Sequence, residues 1–332
     1  MKFSTTLVFF LLFLAVGGAF LYFNQRPANH LSQPVSQTSD KESKPAEAPS
    51  KNAPVLDPAE KITWIQIQNS EKNETITLVK DDKSWEVKYP VVCPASDGVV
   101  DEMVRTLMAA VKLRQLAPEK GWEEYGLLRP AIKIGLKTDA HPVRRYLLLG
   151  HESQVEDSVF ARWEEEKNFF LVHTELKRIF DRSLYALREK RIFRIAPATV
   201  LKIHFEIGSE FYELVKRNDQ WVWVKPQARR GMVVDQVSAE EFSTHLRDLF
   251  IKDFLDEQKE KIDASFFKTG GTITVWGSGR QKEIFYIGQE APARDAFYGK
   301  RDGENAILLI DRGILRSLLD TVRSMGSGVV VG

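Results

Sequence analysis

The octapeptide Leu78-Val79-Lys80-Asp81-Asp82-Lys83-Ser84-Trp85, followed by Pro90, returns as Leu214-Val215-Lys216-Arg217-Asn218-Asp219-Gln220-Trp221, followed by Pro226. Matched residues are displaced by 136 positions throughout: Leu78 to Leu214, Trp85 to Trp221, Pro90 to Pro226. A repeat of that period is too long for a solenoid and predicts two similar domains in tandem. What it keeps is Trp, Pro and alternating aliphatics, which are packing features. Trp85 and Trp221 are therefore expected as core anchors; a role on a binding face is the sharper alternative.

Both copies read in the same order. In the first, Ile62 to Ile67 and Glu74 to Val79 show strand alternation, Asp81-Asp82-Lys83 forms a turn, and Ser84 to Tyr89 gives a third strand ended by Pro90. Asp97 is positioned to cap a helix carrying the stripe Val100, Met103, Val104, Leu107 and Val111. Strands follow over 132–136, 146–150, 159–163 and 169–172, with Glu164-Glu165-Glu166-Lys167-Asn168 as a charged hairpin tip and a short helix from Glu175 to Phe180. The second copy has Leu201-Lys202-Ile203, a strand through Trp221 and Trp223, and a helix built on Phe242, Leu246, Leu249 and Phe250. Its meander covers 272–276, 284–288, 297–299 and 306–310, with Gly303 suiting the hairpin tip, and Ile314, Leu315, Leu318 and Leu319 supply a closing helix. Antiparallel meanders interleaved with helices define the α+β class. The pattern leaves open whether the copies fold alone or share a sheet.

The N-terminus has a different character. Residues 3–23 are 21 uncharged positions, and at ~1.5 Å each they span a ~30 Å hydrocarbon core. A cleavable signal peptide would use Ala15, Gly17 and Ala19, but Phe20-Leu21-Tyr22-Phe23 continues the apolar run beyond them. The length favours an uncleaved anchor. The expected organisation is a cytoplasmic head at 1–6, a transmembrane anchor at 7–23 and a Pro-rich disordered linker at 24–61. It continues with the first α+β repeat at 62–181, a basic connector at 182–197, the second repeat at 198–325 and a flexible tail at 326–332. Lys2 and Arg26 nearly balance the positive-inside count, and the short head points the globular part to the periplasm or exterior.

Chemical motifs are sparse. Lys+Arg 47 against Asp+Glu 46 gives no basic excess for a nucleic-acid partner. Cys93 is the single cysteine, which excludes an internal disulfide and a Cys-rich zinc site and reads as a small half-buried hydrophobe. No G-x-x-x-x-G-K-[ST], strand-helix G-x-G-x-x-G, H-E-x-x-H or G-x-S-x-G is present, and Ser278 reads as a hairpin residue. His173 and His204 fall in or at the end of strand patterns, as structural histidines do. The sequence offers no catalytic, cofactor-binding or metal-binding residues. Arg188, Lys190, Arg191 and Arg194 form either an anion-binding patch or, as expected here, a solvated connector paired with carboxylates.

Trp-x-x-x-x-Pro before a helix (Trp85/Pro90, Trp221/Pro226), Tyr125-Gly126-Leu127 followed by Pro130, Leu149-Gly150 before a meander, and Leu187-Arg188 after it together resemble the bacterial "domain of unknown function 4340" family over about 62–323. The resemblance implies a membrane-anchored protein facing the cell envelope, often beside ABC-type transporter components of the gliding-auxiliary kind, with no established catalytic residues. Phe266-Phe267-Lys268-Thr269-Gly270 departs from the pattern where Tyr-Gly-Leu is expected. The resulting expectation is a binding or scaffold accessory with an envelope or membrane-protein partner. The alternatives are an envelope hydrolase with its site between the repeats, which a deep cleft there would favour, and a soluble exported binding protein.

Overall fold

Period-two alternation of aliphatic residues builds two antiparallel sheets. The computed structural model describes residues 52–155, 157–256, 267 and 270–325. In chain order the first part comprises β1 (Ala53–Pro54), β2 (Ile62–Asn69), β3 (Glu74–Lys80), β4 (Trp85–Tyr89), β5 (Cys93–Pro94) and α1 (Asp97–Met108). It continues through β6 (Val111–Lys112), β7 (Arg114–Leu116), β8 (Ile132–Thr138), β9 (Arg145–Ser153), β10 (Ser158–Trp163), β11 (Phe169–His173), α2 (Thr174–Phe180) and α3 (Leu184–Leu187). The second has β12 (Val200–Ile207), β13 (Glu210–Arg217), β14 (Gln220–Lys225), α4 (Gln236–Arg247), β15 (Ile251–Phe254), β16 (Gly271–Gly277), β17 (Lys282–Ala291), β18 (Ala296–Arg301), β19 (Leu308–Asp311) and α5 (Arg312–Ser324).

The first sheet runs β5-β4-β3-β2-β8-β9-β10-β11-β7 and the second β14-β13-β12-β16-β17-β18-β19-β15. Apart from β5, the two orders correspond strand for strand. Alternation assigns each side chain to a face. Leu147 and Leu149 join the core under α1 and α2, with Ile65, Leu78, Met103 and Phe180, whereas Leu148 faces the opposite way with Leu127 and Phe169. In the second sheet Leu308 and Ile310 pack with Phe242 and Leu318, and Leu309 faces the other side with Leu255. Both repeated tryptophans are buried. Trp85 is tied to α1 twice, its backbone N donating to Asp97 Oδ1 (2.6 Å) and its Nε1 to Asp101 Oδ1 (3.0 Å). Trp221 instead meets Phe242 of α4 edge to face.

Two glycine motifs belong together. A Cβ on Gly150 would lie 2.1 Å from Tyr125 O, and Gly126 takes φ +67° beside His151, whose N donates to Tyr125 O (3.0 Å). The Tyr-Gly-Leu segment thus crosses β9 only because Gly150 is bare. In the second sheet a Cβ on Gly270 would lie 1.7 Å from Ile287 O, and Phe267 packs with Leu255 and Leu309. Gly270, the last residue of that departing stretch, directly precedes β16, whose Gly271 pairs with Ile287, so it marks a close approach of neighbouring strands and not a counterpart of the crossing at Gly150.

Several expectations need correction. The last part of the supposed disordered linker is folded: β1 pairs with β6, Val55 and Leu56 are buried, and Lys61 N donates to Asp139 Oδ1 (2.8 Å). One adjacent Val-Leu pair among prolines is enough to dock that stretch on the core. Ser96, not Asp97, occupies the N-cap position of α1. Val111 leaves the helical stripe for β6, and Leu249-Phe250 lie beyond the end of α4, at the approach to β15, because the short edge strands compete for these residues. The head at 1–6, anchor at 7–23, linker residues 24–51 and tail at 326–332 lie outside the described residues. Among the described residues no helix is long and apolar enough to cross a membrane.

Candidate functional site: the joint between the sheets

The stretch expected to be a solvated connector is hydrogen-bonded on both flanks. On one flank Ser96 N donates to Leu187 O (2.8 Å) and Glu189 N to Pro94 O (3.1 Å), around an antiparallel bridge between Ala95 and Arg188. On the other, Ile251 N donates to Lys190 O (2.8 Å) and Ile192 N to Leu249 O (3.2 Å), around a bridge between Arg191 and Phe250. Residues 187–192 thus pair with β5, the end of the first sheet, and with β15, the end of the second. The two sheets belong to one compact unit.

Buried charge reinforces this crossing. Arg301, at the end of β18 and 4% exposed, donates from Nε to Ile192 O (3.2 Å), from Nη2 to Glu189 O (3.2 Å) and Arg191 O, and from Nη1 to Glu304 (3.3 Å). Burial pushes its pKa below the ordinary guanidinium value, against the opposing charge of Glu304. Arg188, 2% exposed, forks onto Asp256 and lies 3.6 Å from the centre of the Phe254 ring. Glu189 is also buried; against the upward pull of burial, hydrogen bonds from Arg191 hold it below the usual carboxylate range. Arg301 thus supplies donors to three main-chain carbonyls of the connector, in keeping with the need of inward-facing polar groups for partners. The connector's arginines do pair with carboxylates, Arg188 with Asp256, Arg191 with Glu189 and Arg194 with Glu304; what fails is its solvation, because Leu187, Ile192, Phe193 and Ile195 are buried and draw charged neighbours inward.

Beside the joint opens a cleft of about 550 Å³. Val91, Val92 and Cys93 line it beside β4 and β5, and Leu255, Ala306 and Ile307 beside β15 and β19, with Arg188 between them. Glu86, Asp256 and Glu304 bring three carboxylates from separate elements. Cys93 is 9% exposed, and its thiol makes no hydrogen bond among the described residues. Burial pushes its thiol up to about 11; the charge of Arg188 pulls the other way, and the three carboxylates add to the rise. At neutral pH it is a protonated thiol, the opposite of an activated nucleophile.

Other residues singled out from sequence are dispersed. His173 precedes α2, and His204 on β12 has Nδ1 4.0 Å from Glu213. Ser278 lies in a 3-10 turn between β16 and β17. Glu164 and Glu165 pair with Lys133 and Arg145 at their hairpin. Among the described residues no group of three or more His, Cys, Asp or Glu is arranged to hold a metal ion. Sequence reasoning missed Arg301, Glu304, Glu86 and Asp256. One signal for Arg301 existed: it ends β18 where Trp163 ends β10, a buried cation in place of a buried indole.

A family model described as a domain of unknown function (DUF4340) matches residues 85–268, a stretch running from β4 across the joint into the second sheet. No curated protein and no solved structure matches the chain.

Proposed function

The chain belongs to the DUF4340 family, and on that footing we propose that it is a membrane-anchored cell-envelope protein whose duplicated α+β module serves as a binding or scaffold component. The apolar run at 7–23 and the Pro-rich stretch after it support an anchor and tether. The 136-residue displacement, together with the matching strand orders, supports duplication. An envelope or membrane-protein partner fits this organisation, with the chain as an accessory component of an ABC-type transporter or gliding-auxiliary-like complex.

The observation that carries the reading is the doubly bonded connector. It holds open a cleft whose walls come from both repeats, so the surface is preformed and binding requires little ordering. Affinity purification from detergent-solubilised membranes, with the full-length protein and an Ala306→Phe variant that fills the cleft, tests it. A partner recovered with the parent and lost with the variant is expected. The proposal is sunk by no stable partner, or by the same partners from both proteins.

The presence of a real cleft with three carboxylates keeps a second reading, an envelope hydrolase, in view. Under that reading Glu86→Gln and Glu304→Gln leave partner recovery intact while abolishing turnover of an envelope substrate.

A further inference from the structure

One edge of the second sheet differs from its counterpart in the first. Ahead of the last strand of each sheet, an earlier stretch of chain is bonded in place. Val55 N donates to Ala110 O (2.9 Å) before β7, and Ile192 N to Leu249 O (3.2 Å) before β15, with Ala110 and Leu249 139 positions apart. At the other end of the first sheet the connector closes the edge, through Glu189 N to Pro94 O and Ser96 N to Leu187 O. The corresponding end of the second sheet is built alike. Val234 N donates to Trp221 O (2.9 Å) as Ala95 N does to Trp85 O (3.0 Å), and Asp235 occupies the N-cap of α4 as Ser96 does that of α1. Val233 bridges Val222 of β14, with Met232 O accepting from Trp223 N (3.0 Å). Main-chain groups alternate in direction along a strand, so the N–H and C=O of Val233 and the N–H of Asp235 point away from β14. None of these three groups has a hydrogen bond among the described residues. Pro94 has no N–H to offer, so Val233 brings one donor more than its counterpart. Such a row of open groups is a template for another strand.

We propose that residues 326–331 of this same chain dock there as an antiparallel strand, with Ser327 and Val233 exchanging both main-chain bonds. Position along the chain selects the occupant. His173 and Asp311, at the N-caps of α2 and α5, lie 138 positions apart, and the same displacement matches Leu187 with Met325. Both are buried, Leu187 in the first core and Met325 in the second. Gly326 and Ser327 therefore follow Met325 as Arg188 and Glu189 follow Leu187, where the connector meets its edge. Arg229, whose carbonyl accepts from Met232 N (3.0 Å), also donates from Nη1 to Met325 O (3.4 Å), which sets the start of the segment beside the open groups. Val329-Val330-Val331 then supplies three β-branched residues suited to a strand. Gly326-Ser327-Gly328 carries no charge to match Arg188 and Glu189, so main-chain bonds alone hold the segment and its docking is reversible.

Two measurements on the full chain in detergent test this. Hydrogen exchange at the Val233 and Asp235 amides is compared with that of a chain ending at Met325, both checked for fold by circular dichroism. Exchange about tenfold slower in the full chain is expected, the worth of one main-chain hydrogen bond; equal rates overturn the docking. The second measurement fixes register and copy. In a Cys93→Ala background, which removes the single native thiol, Val233→Cys is combined with Ser327→Cys or with Val330→Cys. A hydrogen-bonded antiparallel pair has Cα atoms ~5.5 Å apart, within reach of a disulfide, whereas three further residues of strand put position 330 ~10 Å away. An intrachain disulfide that forms about ten times faster with Ser327→Cys than with Val330→Cys is expected. Equal rates mark a segment that is tethered but not docked, and a disulfide between chains puts a second copy's segment at the edge; either result overturns the proposal.

Discussion

Replacing Arg301 by Met tests whether the joint is the structural centre the geometry makes it. Methionine keeps most of the aliphatic stem, so the buried volume changes little and the loss is polar. Three main-chain carbonyls, of Glu189, Arg191 and Ile192, lose their guanidinium donor, and Glu304 loses its inner partner. Orphaning one buried acceptor costs about 1–3 kcal/mol, and removing one member of a buried ionic network about 3–5 kcal/mol. The terms overlap, because the connector relaxes as a unit, so the expected cost is about 3–5 kcal/mol. For a body of this size that is a fall in melting temperature of roughly 10 °C. Urea unfolding followed by tryptophan fluorescence and by far-ultraviolet circular dichroism measures it. Arg316→Met, which removes a half-exposed contact to Glu290, is the control and should change stability by less than about 1 kcal/mol. If Arg301→Met matches that control, the carbonyls are satisfied without the guanidinium, and the reasoning about the joint is wrong.

Two further outcomes follow from individual groups. With its thiol raised to about 11, Cys93 should be alkylated at pH 8 roughly two orders of magnitude more slowly than an exposed cysteine. The thiol's stabilising preference for the neutral form is present below its ordinary value of 9.0 and lost as pH rises through about 11, so Cys93→Ala should flatten the alkaline limb of the stability profile; parallel limbs refute this. Gly150→Ala sets a methyl against Tyr125 O, an overpacking expected to cost about 3 kcal/mol or more by thermal unfolding, whereas Gly98→Ala, where a Cβ meets nothing within 4 Å, should not destabilise.

The regular elements were legible because their signals are local. Alternation over 132–138 and 200–207 gives strands, and the stripe through Val100, Met103 and Leu107 gives a helix, whatever surrounds them. Short edge strands such as β7 and β15 were not legible, since three or four residues hold too little alternation to register. The connector was misread for a related reason: its charges dominate its composition, while what fixes its place is pairing with β5 and β15 far away in sequence. Arg301 lies beside the hairpin tip that Gly303 suits, and only a strand-by-strand comparison sets it against Trp163. The two sheets do differ where the chemistry concentrates, in the region that supplies Arg301 and Glu304 to the joint. The glycines were noted as motif residues, but what they permit, the Tyr125 carbonyl lying against Gly150 and the Ile287 carbonyl against Gly270, requires three dimensions.

The double pairing of residues 187–192 also bears on how the protein breathes. The amides of Ser96 and Glu189 are held across the first flank, those of Ile192 and Ile251 across the second. An opening that frees either flank must also strip Arg301 from carbonyls that belong to both, so local fraying at one edge is blocked by the other. Exchange of these four amides with heavy water should therefore follow one cooperative event, at rates close to those of the sheet centres. The slowest breathing outside the sheets would then fall midway along the chain, in the stretch where a two-domain protein ordinarily keeps its hinge.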